Sequence, residues 1–393
     1  MFLCVLGGQG FLVNIQMDSY FAVTAPGLEA FTALELRRLG LLPEGFAADK
    51  TEGGVPFTGD LDALYRANLQ LRTASRVLVR LGTFYAGTFS ELRAKAGRLD
   101  WKRYLTPGQP VAVRVTCHKS KLYHSDAVAE RVAGAIADKL GRPVSRRKPG
   151  DEEAENPPQL IVVRLVNDQC TISIDSSGEL LHRRGYRQAV AKAPLRETLA
   201  AAMLLASGWD MRLPVLDPFC GSGTIAIEAA LLALNVSPGR NRHFAFMDWP
   251  GFDAKNWEAI RAETKPALGL PVIQASDRDA GAVRMAQENA ERAGVAQHVQ
   301  FTCRAVSAID PPDEQPGWVV TNPPYGLRVS EGKDLRNLYA QFGNVLRAKC
   351  PGWQVAILCN DLKLLGQTGI KLDTALSFVN GGVNVKVARG RVG

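Results

Sequence analysis

The residues best suited to chemistry form a short loop, Asn322-Pro323-Pro324-Tyr325, which follows the strand-like stretch WVVT. One reaction that such a loop can support is methylation of an aromatic amine. This amine is a poor nucleophile because its lone pair is delocalised into the ring. An asparagine oxygen and a backbone carbonyl beside proline can accept both amino hydrogens and favour the pyramidal nitrogen that attacks a methyl group. Prolines fix that backbone and remove donors, and Tyr325 offers a ring for base stacking, worth about 1–3 kcal/mol. The loop therefore predicts methylation of a base amine; the competing interpretation is a proline turn that ends a strand.

A second loop, DPFCGSGT (217–224), joins a predicted strand to a predicted helix. Gly221 and Gly223 let the backbone turn tightly against a ligand that faces the helix N-terminus. The dinucleotide fingerprint is incomplete because Ile227 or a neighbour replaces its third glycine. Asp217, at the strand end, suits a hydroxyl-bearing or cationic ligand better than a pyrophosphate. Cys220 has no partner base and is not expected to act as a thiolate; a tight turn without a ligand is the alternative for the whole loop.

A third candidate, Asp277, ends the next predicted strand, PVIQASD. A carboxylate there can accept both ribose hydroxyls of a nucleoside cofactor at the open edge of the sheet. Asp279 competes for this role, but it could instead cap the following helix. We favour Asp277.

Positive charge is concentrated in one region of the chain. The 47 Lys and Arg exceed the 39 Asp and Glu by 8. Residues 71–150 contain 17 basic and 5 acidic residues, a balance of +12, which leaves −4 for the rest. This distribution is typical of a nucleic-acid-binding segment joined to a near-neutral body. The residues expected to contact RNA phosphates are Arg114, Lys119, Lys121, Arg146, Arg147, Lys148, Arg183 and Arg184; the last two could equally belong to a solvated linker.

The remaining composition excludes several classes of protein. Seven cysteines form no C-x-x-C pair, which indicates a reducing compartment and argues against disulfides or a zinc knuckle. No histidine pair has metal-ligand spacing, and no apolar run reaches the roughly 18 residues of a membrane helix. Residues 1–17 lack the features of a signal peptide and are expected to be an N-terminal extension. We therefore expect a cytoplasmic protein with neither a metal nor a membrane partner.

Three folded segments must position these loops. Residues 18–75 and 76–176 each mix helices with alternating strands, whereas strand–helix alternation after 177 predicts a mainly parallel, doubly wound sheet. Residues 177–212 would form a linker and a lead-in helix that begins near Pro194. A helix is expected to be capped near Ser125 or Asp126 and to end at Gly141. Trp249 and Trp257 lie in an irregular insertion and are expected to be core or domain-contact residues, although they could shape a substrate entrance.

DPFCGSGT, the dipeptide SD and NPPYG, in this order, resemble the class I S-adenosylmethionine-dependent methyltransferases that act on amines. Three further segments are similar to the THUMP-domain RNA guanine-N2 methyltransferases, above all the bacterial large-subunit ribosomal RNA type. They are RRGYR, the segment APLRETLAAAMLLASGW that precedes the glycine loop, and FAFMDW after that loop. The resemblance extends over nearly all of residues 18–393. It implies an α/β architecture: a ferredoxin-like unit, a THUMP RNA-binding domain and a C-terminal Rossmann-like methyltransferase domain.

The resemblance also implies roles for particular residues. The S-adenosylmethionine loop would contain Asp217, Phe219, Cys220, Gly221 and Gly223, Asp277 would hold the ribose, and residues 322–325 would hold the base. One position departs from the family. In the family, an acidic residue that binds the adenine amine usually follows the third strand. In this chain the segment FTCRAVSAID has Arg304, Ala305 and Ala308 at that place, and Asp310 lies further along. A backbone group would then contact the adenine.

Alternatives remain for the substrate. Asn-Pro-Pro-Tyr also fits methylases of DNA adenine and of glutamine amides. The basic segment argues against a protein substrate, and the RNA-type domain implied by the resemblance argues against DNA. Within RNA, the N2 amine of a guanine in 23S ribosomal RNA is our first expectation and transfer RNA the second. From another class, the chain could be an RNA-binding protein with an inactive methyltransferase domain; calorimetry with S-adenosylmethionine would separate the two.

Overall fold

The computed structural model describes residues 17–48, 51–147, 157–187, 195–263, 269–312, 315–325, 334–380 and 382–393. Two mixed sheets dominate this part of the chain, one in each half. None of the helices it contains is long and apolar enough to cross a membrane.

The N-terminal half is built on a seven-stranded sheet with the order β2-β1-β3-β7-β6-β4-β5. Its strands are β1 (Asp18–Val23), β2 (Gly54–Gly59), β3 (Arg76–Tyr85), β4 (Val111–His118), β5 (Arg146–Arg147), β6 (Gln159–Val166) and β7 (Gln169–Asp175). Strand β3 pairs with β1 on one side and β7 on the other, both antiparallel. The boundary expected at residues 75 and 76 therefore falls at the start of a strand that both units share.

Four helices accompany this sheet: α1 (Glu29–Arg38), α2 (Leu61–Gln70), α3 (Phe89–Ala96) and α4 (Ser125–Leu140). The side chain of Asp60 accepts a hydrogen bond from the Ala63 amide and caps α2. Helix α4 ends at Gly141, whose φ of 70° is the left-handed conformation that favours glycine. The expected N-cap of α4 is wrong by one or two residues: the helix begins at Ser125, and His124 precedes it without a side-chain cap.

The C-terminal half contains an eight-stranded sheet that is parallel from β10 through β9, β8 and β11 to β12. Its strands are β8 (Val215–Asp217), β9 (Ile273–Asp277), β10 (Gln300–Cys303), β11 (Trp318–Thr321), β12 (Gln354–Cys359), β13 (Leu372–Asp373), β14 (Ser377–Asn380) and β15 (Val383–Arg391). Strand β15 runs antiparallel to β12 and β14, which confirms the expected final hairpin.

This sheet is covered on both faces, as a doubly wound fold requires. The helices of this half are α5 (Glu197–Ser207), α6 (Thr224–Ala233), α7 (Ala254–Glu263), α8 (Ala280–Arg292), α9 (Arg336–Lys349) and α10 (Leu362–Gln367). Of these, α7 packs against the core of the first sheet instead. Val215 and Val320 belong to one core with α5, α6 and α8, whereas Leu216 and Val319 belong to a second core with α9 and α10. Pro194, the expected start of the lead-in helix, lies outside the described residues, and α5 begins at Glu197.

The insertion after α6 packs into the N-terminal half. Phe246 stacks on Tyr65 of α2 with ring centroids 4.7 Å apart, and the Trp249 indole N–H donates to Gln159 Oε1 at 2.9 Å. Trp249 and Trp257 are only 6% and 4% exposed and join the core of the first sheet. The prediction of core or domain-contact tryptophans is confirmed. The alternative, that they shape a substrate entrance, stays a prediction.

Candidate active site

The candidate residues meet where the strand order of the second sheet reverses. Strand β8 lies between β9 and β11, and all three run parallel. Asp217 ends β8, Asp277 ends β9 and Asn322 directly follows β11. The carboxyl ends of parallel strands at such a switch point form a crevice, the usual ligand position in open α/β sheets.

Asp217 links the glycine loop by hydrogen bonds to β11, the strand that Asn322 follows. Its Oδ1 accepts a hydrogen bond from Thr321 Oγ1 at 2.6 Å and another from the Phe219 amide at 3.3 Å. Burial, opposed by these hydrogen bonds and reinforced by the negative charge of Asp277, raises the pKa of Asp217 from 3.8 to about 7. Asp217 thus holds the backbone of the glycine loop at the end of β8. Thr321, which sequence reasoning missed, is its buried partner.

Asp277 also holds the glycine loop. Its Oδ2 accepts from the Gly221 amide at 3.1 Å, and its Oδ1 accepts from the Asp279 amide at 3.0 Å. Asp279 itself caps α8 by accepting from the Gly281 and Ala282 amides. Its carboxylate is therefore engaged in the helix cap, the role that the sequence left open for it.

The two loop glycines differ in what surrounds them. Gly223 has φ +82°, and a Cβ built there would lie 2.9 Å from Ala286 Cβ, closer than packed carbons approach. Gly221 has φ +50°, and a Cβ there would meet nothing within 4 Å. Gly223 is thus required by packing, whereas Gly221 borders open space in which a ligand can approach the backbone.

Cys220 lies between these functional positions but is poorly suited to nucleophilic chemistry. Its amide donates to the Ser276 carbonyl at 2.9 Å, which ties the loop to β9. Burial, with smaller effects of the two aspartates, raises the pKa of the Cys220 thiol. The side chain therefore stays a neutral thiol, in agreement with the sequence argument.

A buried hydrogen-bond chain fixes the same loop from α8. Asn289 is fully buried and its side-chain amide donates to the Ser222 carbonyl at 3.0 Å. Arg292 donates to Asn289 Oδ1 at 2.5 Å and to the Tyr186 carbonyl at 2.8 Å. Arg187 reaches the first residue of α6, Thr224 Oγ1, at 2.6 Å. The linker that follows the basic segment therefore touches the glycine loop, a link that no local sequence signal indicates.

The Asn322 side chain presents an unusual acceptor. Its Oδ1 is buried, yet no donor among the described residues hydrogen-bonds to it. An unpaired buried acceptor costs about 1–3 kcal/mol, and such atoms in native structures call for an explanation. A donor supplied by a ligand would satisfy this oxygen.

Two residues missed by sequence reasoning orient the rest of the Asn-Pro-Pro-Tyr loop. The Tyr339 hydroxyl donates to the Pro324 carbonyl at 3.3 Å. The Asn380 side-chain amide donates to the Tyr325 hydroxyl at 3.3 Å, and Tyr325 is partly buried against both cores of this domain. Tyr339 belongs to α9 and Asn380 to β14, so only the tertiary fold brings them to the loop.

The chain after the third parallel strand contains no acidic side chain at the family's position. The Arg304 amide donates to the Asp277 carbonyl at 2.9 Å, and residues 306–308 then form a short 3-10 helix. Asp310 follows this helix and is exposed. Across the described ranges, no group of three His, Cys, Asp or Glu is arranged to hold a metal ion.

The expected RNA-contacting residues divide into four groups, of which the last is Arg184 alone. Those exposed on the surface are Arg114, Lys119, Lys121, Arg146 and Arg183; Arg147 is half-buried, and Lys148 lies outside the described residues. Arg183 forms an ion pair with Glu179 at 3.4 Å.

Arg184 corrects the sequence prediction. Its guanidinium is 3% exposed and lies 3.6 Å from Glu228 Oε1. It donates to the carbonyls of Leu181 and Arg72, both at 2.6 Å. These carbonyls and Glu228 already bind the guanidinium in the interface between the two halves. Arg184 is therefore removed from the expected RNA-contacting residues.

Three family models match this chain in sequence order. A model described as the RlmL ferredoxin-like domain matches residues 19–78, and a THUMP domain model matches residues 86–175. A model described as an RMKL-like methyltransferase domain matches residues 184–373.

Whole-chain relatives agree with these models. A Synechocystis protein, named only as a candidate RNA methyltransferase, is 36% identical over 93% of this chain and 94% of its own length. The ribosomal RNA large subunit methyltransferase K/L of Syntrophotalea carbinolica is 36% identical over 94% of this chain, and the chain spans 53% of that relative's length. The solved structure of SMU.472, titled as a candidate methyltransferase complexed with SAH, is 32% identical, with a TM-score of 0.84 over 95% of this chain and 98% of its own.

Proposed function

Because the chain belongs to the RlmKL-like methyltransferase family, with its ferredoxin-like and THUMP domains, we propose that it methylates RNA with S-adenosylmethionine as donor. The acceptor would be the exocyclic N2 amine of a guanine in large-subunit ribosomal RNA. The K/L relative is named for that class of RNA. The guanine amine is our inference from the residues of the Asn-Pro-Pro-Tyr loop.

The observation that carries this proposal is the buried Oδ1 of Asn322, to which none of the residues that the structure describes donates a hydrogen bond. A hydroxyl or carboxylate substrate would offer one donor or none, whereas an exocyclic amine offers two. Tyr339 already donates to the Pro324 carbonyl, so we assign the second acceptor to the carbonyl of Pro323. Together, the two acceptors would hold both amino hydrogens of the base.

The glycine loop fits a nucleoside cofactor. Gly221 leaves space beside the backbone, and Asp277 lies at the end of β9, where a ribose would be placed. Phe219 and Cys220 lie in the loop between Asp217 and Gly221 and would form part of the cofactor site. S-adenosylmethionine, when bound, supplies a methyl group already activated by the positive charge on its sulfur.

The protein's contribution would be positioning. The target base is flipped out of its stack to reach the crevice, and the ring of Tyr325, fixed by Asn380, stacks on it. Asn322 and the Pro323 carbonyl orient the amine lone pair. Much of the entropic cost of aligning the amine with the methyl group is therefore met on binding, before the reaction. No strong base is required, because the amine proton becomes acidic only as the new nitrogen–carbon bond forms.

The basic segment would hold the RNA. Phosphate contacts give affinity with little sequence information, and Arg114, Lys119, Lys121 and Arg146 present exposed cations for them. Transfer RNA remains the second candidate substrate, since the residues of the pocket suit a guanine in either RNA.

The test compares Asn322→Ala with Asn344→Ala, an exposed asparagine on α9. Transfer of a radiolabelled methyl group to 23S ribosomal RNA fragments is measured beside RNA affinity and calorimetric binding of S-adenosylmethionine. Asn322→Ala should lose methyl transfer and keep RNA affinity, whereas Asn344→Ala should match the wild type. Full methyl transfer by Asn322→Ala would overturn the assignment of this loop.

A second experiment identifies the substrate. The gene is deleted, ribosomal and transfer RNA are purified and digested separately, and nucleosides are quantified by mass spectrometry. Loss of N2-methylguanosine from 23S ribosomal RNA alone is expected. Loss from transfer RNA alone would favour the second candidate, and loss of N6-methyladenosine would reject the guanine assignment.

A further inference from the structure

Within the described residues, helices cover only one face of the seven-stranded sheet. Val79, Val113, Val163 and Ile172 point to that face and share one apolar core with residues of α1, α2, α3 and α4. Because side chains alternate along a strand, the residues between them point away from all four helices. This second surface of β3, β7, β6 and β4 is called the open face below.

Strand register gathers three arginines on the open face. Arg80 of β3 pairs with Ser173 of β7, Ser173 pairs with Val162 of β6, and Val162 pairs with Arg114 of β4. Arg164 lies two residues beyond Val162 on the same strand and therefore on the same face. Strands lie about 4.8 Å apart and alternate residues about 6.7 Å apart, so Arg164 is about 8 Å from Arg114, backbone to backbone.

These arginines have no counter-ion in the described part of the chain. Among the described residues, no ion pair and no hydrogen bond to a carboxylate or carbonyl involves the side chain of Arg80, Arg114 or Arg164. The guanidinium of Arg80 lies over the Phe21 ring, 4.3 Å from its centroid. Burial, and secondly the positive charge of Arg164, lowers the pKa of Arg80. Like charges held together without partners are unfavourable, so the cluster suits an anionic ligand.

Two hydroxyls and an exposed ring lie beside the arginines on the open face. Thr83 and Thr171 are paired in register and their hydroxyls lie 3.1 Å apart. In the next row, Tyr85 is 51% exposed. Its hydroxyl lies 3.5 Å from Lys121 Nζ and 3.4 Å from Asp168 Oδ2 at the rim, which fixes the ring at the edge of the face. Cations, hydroxyls and a ring on one surface match the phosphates, sugars and bases of RNA.

We propose that the open face binds a single-stranded segment of the substrate RNA, with phosphates at Arg80, Arg114 and Arg164 and one base on Tyr85. The proposal rests on the proposed function in taking RNA as the substrate. The patch spans four strands and three rows, about 14 Å in each direction, comparable to the four-stranded sheets that stack two or three bases. Duplex RNA is recognised across about 16 base pairs and hides its base edges in a deep groove, so a small flat patch is better suited to a single strand.

The test uses the full-length protein and two fluorescent RNA probes, a single strand of mixed sequence and a duplex of the same length. Arg114→Ala/Arg164→Ala removes two exposed cations from the open face. Arg212→Ala/Arg284→Ala removes two exposed cations from the methyltransferase domain and is the matched control. Affinity is measured by fluorescence anisotropy over a series of salt concentrations.

The open-face double variant should bind the single strand at least about 10-fold more weakly, and its salt slope should fall by about 1.4, as expected for two lost phosphate contacts. Tyr85→Ala should weaken binding of the single strand about 5- to 160-fold with an unchanged salt slope, whereas Tyr85→Phe should not weaken it. Loss no greater than in the control, or loss confined to the duplex, would overturn the proposal.

Methyl transfer separates this proposal from the proposed function. If the wild type methylates RNA and the open-face variant keeps its KM for RNA, the open-face proposal alone fails. If the wild type binds the single strand through Arg114 and Arg164 but methylates no RNA, the proposed function alone fails. The expected result is methylation by the wild type with a KM for RNA raised at least about 10-fold in the open-face variant.

Discussion

Replacing Thr321 by valine removes the hydroxyl that donates to Asp217 Oδ1 at 2.6 Å while keeping the shape of the side chain. Thr321 is fully buried and Asp217 is 1% exposed, so water cannot replace the lost donor. A hydrogen bond to a charged group contributes about 1.5–3 kcal/mol and a neutral one about 0.5–1.5 kcal/mol. The cost of the substitution therefore depends on whether Asp217 is ionised.

The pKa of Asp217 makes this dependence measurable. In the folded protein it is raised to about 7 from 3.8, so between these values the folded state binds more protons than the unfolded state. The contribution of this group to stability is full below about pH 4 and is lost as the pH rises through 7. Without the hydroxyl the charged form loses about 1–1.5 kcal/mol more than the neutral form, which raises the pKa of Asp217 by about one further unit.

Urea unfolding at pH 5 and pH 9 tests this reasoning. Thr321→Val should lower the free energy of unfolding by about 1 kcal/mol at pH 5 and by about 2–3 kcal/mol at pH 9. Thr321→Ser keeps the hydroxyl and should show no such difference between the two pH values. Transitions by fluorescence and circular dichroism must coincide for the comparison to hold. In an Asp217→Asn background the extra loss at pH 9 should vanish; equal losses at both pH values with Asp217 intact would refute the reasoning.

Two further substitutions test the loop and the interface between the halves. Gly223→Ala, with φ +82° and a contact at 2.9 Å, should lower the free energy of unfolding by at least about 1 kcal/mol more than Gly221→Ala, which meets open space; urea unfolding measures both, and the reverse order would contradict the packing argument. Trp249→Phe removes the 2.9 Å hydrogen bond to Gln159 Oε1 and should cost about 1–2 kcal/mol in the same assay. In a Gln159→Leu background that cost should shrink, and an unchanged cost would mean that the two side chains are not coupled.

Local sequence patterns were sufficient for the elements and loops that depend on neighbours in the chain. Alternation in VAVRVTC and LIVVRLV predicted β4 and β6, and Gly141 predicted the end of α4. The position of the Asn-Pro-Pro-Tyr loop after a strand was also correct. These features follow from side-chain periodicity and backbone conformation, which act over a few residues.

Long-range pairing could not be read in the same way. The shared strand β3, the packing of Trp249 into the first core and the burial of Arg184 all depend on residues far apart in the chain. Arg184 shows the reason: a basic linker has the same composition whether its guanidinium faces solvent or is surrounded by backbone carbonyls and Glu228. Burial is a property of the assembled fold, so charge alone misplaced this residue.

The sequence by itself determined the chemistry available: an amide oxygen beside two prolines, a glycine loop after a carboxylate, and a basic segment. Only the tertiary structure decided how these groups are used. It left Asn322 Oδ1 buried without a donor in the described part of the chain, turned Asp217 and Asp277 toward the loop backbone, and aligned Arg80, Arg114 and Arg164 on one face. The physical reason is that spacing along a chain sets which face a side chain takes, whereas desolvation, charge proximity and hydrogen-bond satisfaction depend on strands that pair across long separations.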